Sequence, residues 1–89
     1  MIGYMLVRHK VRDFAQWKRV YDAHLPHRVV AGLTEKQLLR GARDANEIFV
    51  LFEAENIERA QAFTEAADLR ETMAKAGVLD KPDIYFLTG

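Results

Sequence analysis

Between Ile2 and Val11 the chain is rich in β-branched and aromatic side chains, as a strand requires. After Asp13 the pattern changes: Phe14, Trp17, Tyr21, His24 and Arg28 recur at steps of three and four, which puts them on one side of a helix. Asp13 can accept from the free amides of the first turn, and Gln16 three residues later completes a capping-box-like pair. Pro26 has no amide hydrogen and biases Leu25 away from helical angles, so a break is predicted there, with a short final turn ending near Gly32. Leu33 to Ala42 and Glu47 to Ala54 then read as a hairpin around Arg43-Asp44-Ala45-Asn46, whose Asp and Asn suit turn geometry.

The second hairpin strand contains Ile48-Phe49-Val50-Leu51-Phe52, apolar on both faces, so something must cover each side. Asn56 can cap a second helix with Ile57, Ala60, Phe63 and Ala67 inward. Asp68 with Glu71 restarts a helical segment carrying Leu69, Met73 and Ala76. Gly77 suits the left-handed position just past a helix, and Val78 can fold back on the last turn. Pro82 to Leu87 supplies the last strand. The order is β-α-β-β-α-β, a ferredoxin-like α+β domain over residues 1–89 with a four-stranded antiparallel sheet and both helices on one face. The other face carries apolar side chains without a cover, which predicts a homodimer.

Of 89 residues, 49% are hydrophobic, enough for a folded core. Cysteine is absent, which removes disulfides and thiolate chemistry and fits a reducing compartment. No apolar run approaches the ~20 residues that cross a bilayer, and the start lacks a basic leader pattern, so a cytoplasmic protein without membrane contact is expected. The 13 basic and 13 acidic side chains cancel in total. They are unevenly spread, the first 45 residues carrying nine basic and four acidic groups and the rest the reverse. In a split βαβ fold the two halves interleave, so intrachain pairing is expected instead of a basic lobe, and nucleic acid is not an expected partner.

Val11 to Trp17, Tyr21-Asp22-Ala23-His24, Arg28, Ala31-Gly32-Leu33, Gln37-Leu38-Leu39-Arg40, Asn46 to Glu53 and Ala76-Gly77-Val78 resemble the small dimeric α+β barrel proteins. Within that superfamily the chain is most similar to antibiotic-biosynthesis-monooxygenase-like and cyclase-like members. The resemblance implies sheets packed face to face into a barrel and a ligand cavity between sheet and helices in each subunit. It does not imply one reaction, because the fold hosts oxygenases, isomerases, cyclases, haem-degrading enzymes and inert stress proteins.

Along the first helix, Trp17, Tyr21, His24 and Arg28 change one face from apolar to titratable, as a pocket with convergent polar groups does. His24 can serve as general base or acid and Tyr21 can donate to a developing enolate or phenolate, which makes these two the catalytic candidates. Phe14 and Trp17 are expected as an apolar wall, Arg28 or Arg40 as the group that steadies an anion, and His9 as a further ligand contact if its strand face looks into the cavity. The same residues also fit ordinary packing with satisfied polar tips. His9 fits a solvated or hydrogen-bonded site, and Arg40 fits a cross-strand pair with Glu53. His24 and His27 have i, i+3 spacing but no third ligand nearby, so no metal is expected, and no haem or nucleotide motif implies a cofactor. The expected function is binding of a small aromatic or polyketide-like molecule, with cofactor-independent monooxygenation or cyclisation as its chemistry. The alternative is a non-catalytic dimeric stress or accessory module.

Overall fold

In a computed structural model describing residues 2–89, eight elements follow one another. They are β1 (Gly3–Lys10), α1 (Phe14–Ala23), α2 (Leu25–Val30), β2 (Leu33–Arg40), β3 (Glu47–Ala54), α3 (Ile57–Glu65), α4 (Ala67–Lys75) and β4 (Asp83–Thr88). The sheet order is β2-β3-β1-β4 and each neighbouring pair is antiparallel. This is the predicted ferredoxin-like arrangement, with each of the two helical segments divided in two.

Each division has a backbone cause. Pro26 cannot donate to the carbonyl one turn back, so the helix must give way upstream of it. The break falls at His24 (φ −86, ψ 2), and Pro26 sits in the first turn of α2, where no amide donor is needed. The expected position was therefore slightly too late. Between α3 and α4, Ala66 is extended (φ −69, ψ 139), which turns Ala67 out to solvent instead of inward as the continuous spacing implied. Asp13 caps α1 as expected, accepting from Ala15 and Gln16 at 3.4 and 3.3 Å. Gln16 does not close the reciprocal half; its amide donates to the Lys75 carbonyl at 3.1 Å and ties α1 to the end of α4. Gly77 (φ +78) ends α4, and the Val78 amide reaches back to the Met73 carbonyl at 3.1 Å.

Strand alternation divides the sheet into two unlike faces. Met5, Val7 and His9 of β1 and Ile48, Val50 and Phe52 of β3 are buried beneath the helices together with Trp17 and Ala60. Leu6, Leu39, Phe49, Leu51, Tyr85 and Leu87 point the other way. On that face Leu39, Tyr85 and Leu87 remain 55%, 53% and 43% exposed, the uncovered apolar surface that the sequence predicted.

The expected Arg40–Glu53 pair does not form. Arg40 lies close to the turn, opposite Ile48, whereas Glu53 lies at the far end of β3, opposite Thr34, so the two are not at mirror positions. A bulge between Glu35 and Gln37 shifts the register by one residue between them. Glu53 pairs with Lys36 at 3.2 Å instead. The interleaving of charges does hold: Arg8 bridges to Glu47, Asp80 and Asp83 at 2.7, 3.1 and 3.4 Å. With Lys36–Glu53, four of the six ion pairs among the described residues join the basic half to the acidic half.

Candidate functional site

Four side chains from three elements form one wall beneath the helices. Trp17 and Tyr21, one helical turn apart on α1, stack with ring centroids 4.6 Å apart and planes at 20°. The His9 ring from β1 meets Trp17 edge-on at 5.7 Å. The break at His24 lets α2 bring Arg28 back over the Tyr21 ring, its guanidinium carbon 3.7 Å from the centroid. The wall therefore runs His9–Trp17–Tyr21–Arg28, titratable at both ends and apolar in the middle.

Arg28 is only 6% exposed. Its Nη1 donates to the Tyr21 carbonyl at 2.6 Å, but no carboxylate lies within ion-pairing distance among the described residues. Burial works against its charge, while Tyr21, Glu35 and Asp22 favour it. Tyr21 donates its hydroxyl to Glu35 at 2.7 Å. Burial and that hydrogen bond push its pKa far above the ordinary phenol value. Its proton is thus directed at Glu35, which removes the expected donation into the cavity.

His24 is buried at the junction of α1 and α2, its ring stacked on His27 at 4.4 Å and tilted against Phe63 at 5.8 Å. Burial, then His27 and Arg28, hold its pKa below the ordinary histidine value, against an opposing pull from Asp68. No group of three metal-ligating side chains accompanies the stacked pair among the described residues. His9 is 5% exposed, and neither ring nitrogen has a hydrogen-bond partner among the described residues. The expectation of a solvated or bonded His9 is overturned, because β1 alternation turns it to the helix side. Burial lowers its pKa, Asp80 raises it and Arg8 lowers it.

The wall encloses a chamber of about 70 Å³ that His9, Trp17, Tyr21, His24 and Arg28 all line. A groove of about 500 Å³ lies outside it, between α2 and the α3–α4 pair, lined by His27 and Arg59 among others. His24, Phe63 and Leu69 belong to both spaces and separate them. Phe14 and Arg40, expected as wall and anion partner, are outside the chamber. Phe14 supports Trp17 from behind at 5.8 Å, and Arg40 covers Phe14 at 3.8 Å while donating to the Ala45 carbonyl. The sequence reading missed Thr64 and Thr72, which line the chamber. Their hydroxyls donate to carbonyls of their own turns, so they act as small apolar surfaces at positions continuing the Ala60 and Leu69 faces.

No family profile matches the chain, and no curated protein matches its sequence. Solved structures do match. A candidate antibiotic biosynthesis monooxygenase of Bordetella bronchiseptica superposes with a TM-score of 0.81 at 14% identity, over 99% of this chain and 96% of that one. The chain has the antibiotic biosynthesis monooxygenase-like fold. A second such candidate, from Nitrosomonas europaea, gives 0.73 at 16% identity over 99% and 89% of the two chains. SnoaB, a cofactor-independent oxygenase of Streptomyces nogalater, gives 0.75 at 12% identity over 99% and 92%. These likenesses concern the fold, so any activity must be argued from the chamber. No helix among the described residues is long and apolar enough to cross a membrane.

Proposed function

We propose that the chamber binds a small ionisable hydroxy-aromatic or polyketide-like molecule, and that its chemistry is cofactor-independent oxygenation of the bound phenolate or enolate. The observation that carries this reading is Arg28, a buried cation with no carboxylate partner among the described residues. A buried charge is costly unless paired, and a ligand anion supplies the missing partner. Trp17 and Tyr21 offer a flat surface for the rings, and His24 is the polar group a ligand meets between groove and chamber. The SnoaB-like fold supports oxygenation as the reaction. An electron-rich phenolate or enolate can reduce dioxygen directly, which is how a site without a resident cofactor can carry it.

At about 70 Å³ the chamber is smaller than the roughly 300 Å³ of ordinary small-molecule sites. Binding therefore joins it to the 500 Å³ groove by displacing the shared Phe63 and His24 side chains. The small inner volume also favours a second reading, a non-catalytic module whose aromatic wall is packing. In either case the uncovered sheet face supports a homodimer, and the absence of cysteine supports a cytoplasmic location. Calorimetric titration with 1-naphthol, followed by incubation with hydroxynaphthalenes and anthrone under ¹⁸O₂, separates the two readings. The ligand-binding reading requires affinity that falls at least tenfold in Arg28→Met, with ¹⁸O in the product. No binding by the folded wild type leaves the packing reading.

A further inference from the structure

We infer that His9 is the residue that binds the ligand's hydroxyl and takes its proton, a role that rests on the binding reading above. His9 is more than nine-tenths buried, lines the chamber, and has two ring nitrogens without partners among the described residues. Buried polar atoms are ordinarily paired, so an unpartnered pair facing a cavity points to something that enters it. A neutral imidazole presents one donor and one acceptor, and a hydroxyl group is the smallest ligand function that answers either. The strand holds the ring in place: His9 sits opposite Ile48 near the end of β1, and Trp17 packs against its ring.

The other candidates lining the chamber are already committed. The Tyr21 hydroxyl donates to Glu35, and His24 stacks on His27 beside the outer groove. His9 lies at the opposite end of the wall from Arg28, so a ring system along Trp17 and Tyr21 would place one oxygen at each. In the step itself the ligand O–H bond breaks and an N–H bond forms on the imidazole. The oxygen keeps the electron pair, leaving a phenolate beside an imidazolium, and no electron leaves the ligand. Asp80 favours the protonated ring and Arg8 opposes it, while Arg28 meets the charge that conjugation carries to the oxygen at the far end of the wall.

The test uses 4-nitrophenol, whose phenolate is read by its visible absorbance, at a pH below its own pKa. Ring ¹⁵N spectra of His9 are recorded during the titration. The His9 nitrogens are expected to shift on saturation. His9→Phe should weaken binding roughly tenfold or more, as loss of a hydrogen bond to a buried group does. His9→Asn should recover part of the affinity but not the phenolate absorbance, because an amide can bond the hydroxyl without accepting its proton. His9 signals that stay unmoved in a saturated wild type overturn the inference even where the variants do not fold. Equal binding and equal phenolate signal in His9→Phe overturn it while leaving the binding reading intact if Arg28→Met abolishes binding. Absence of binding by the wild type removes both.

Discussion

Replacing Arg28 by methionine separates a residue kept for folding from one kept for a ligand. Methionine preserves the length and apolar stem of the side chain but removes the guanidinium. Lost with it are the hydrogen bond to the Tyr21 carbonyl at 2.6 Å, about 1.5–3 kcal/mol for a charged donor, and the contact over the Tyr21 ring, about 2 kcal/mol when desolvated. Against these stands the desolvation of a cation 6% exposed and without a carboxylate, which is several kcal/mol. The terms nearly cancel, so Arg28→Met should change folding stability by no more than about 1 kcal/mol, or about 8 °C in Tm for a domain of this size. Thermal and urea unfolding at one fixed protein concentration, far above any dimer dissociation constant, would measure it. The same variant should lose anion binding at least tenfold. A stability loss of about 3 kcal/mol or more, the cost of breaking a satisfied buried charge, would refute the reasoning, because Arg28 would then belong to the packing.

Other parts of the molecule make separate predictions. Burial holds His9 and His24 below the ordinary histidine pKa, so the unfolded chain binds more protons and stability falls as pH drops below about 6.5. His9 contributes a slope of at most about 1.4 kcal/mol per pH unit down to its folded pKa, and His24, beside the groove, adds a smaller part; urea melts between pH 7.5 and 5.5 test this, and His9→Phe should flatten the profile. Gly32 has φ +75 and an added Cβ would stand 3.0 Å from the Glu55 Cβ, so Gly32→Ala should cost about 1–2 kcal/mol in chemical denaturation. Leu51→Lys places a charge on the uncovered sheet face, and sedimentation should find the wild type dimeric and the variant monomeric; a wild-type monomer at micromolar concentration contradicts the proposed pairing.

The fold was legible because local signals agree with the tertiary arrangement: the Asp13 and Asn56 caps, the Gly77 stop and the two-faced Ile48–Phe52 strand all act as their residue types imply. The site was legible where it depends on helical spacing, which brings Trp17 and Tyr21 together directly. Arg28 reaches the same wall from α2, beyond the break at His24. Arg40 and Glu53 were misjudged because they stand at unequal distances from the turn, Arg40 opposite Ile48 near it and Glu53 opposite Thr34 far from it. The role of His9 depends on which strand face meets the helices, a question that β1 alone leaves open. The Tyr21–Glu35 bond likewise joins residues that only the α1–β2 packing places together.

The central claim is that the wall from His9 to Arg28 is a ligand-binding surface and not a packed interior. A crystal structure of the protein grown with a saturating hydroxynaphthalene tests it most directly. The account predicts ring density against Trp17 and Tyr21, an oxygen within hydrogen-bonding distance of His9 or Arg28, and displaced Phe63 and His24 side chains opening the chamber to the groove. An unchanged chamber of about 70 Å³, with the compound absent or seated only on the sheet's other face, would contradict it.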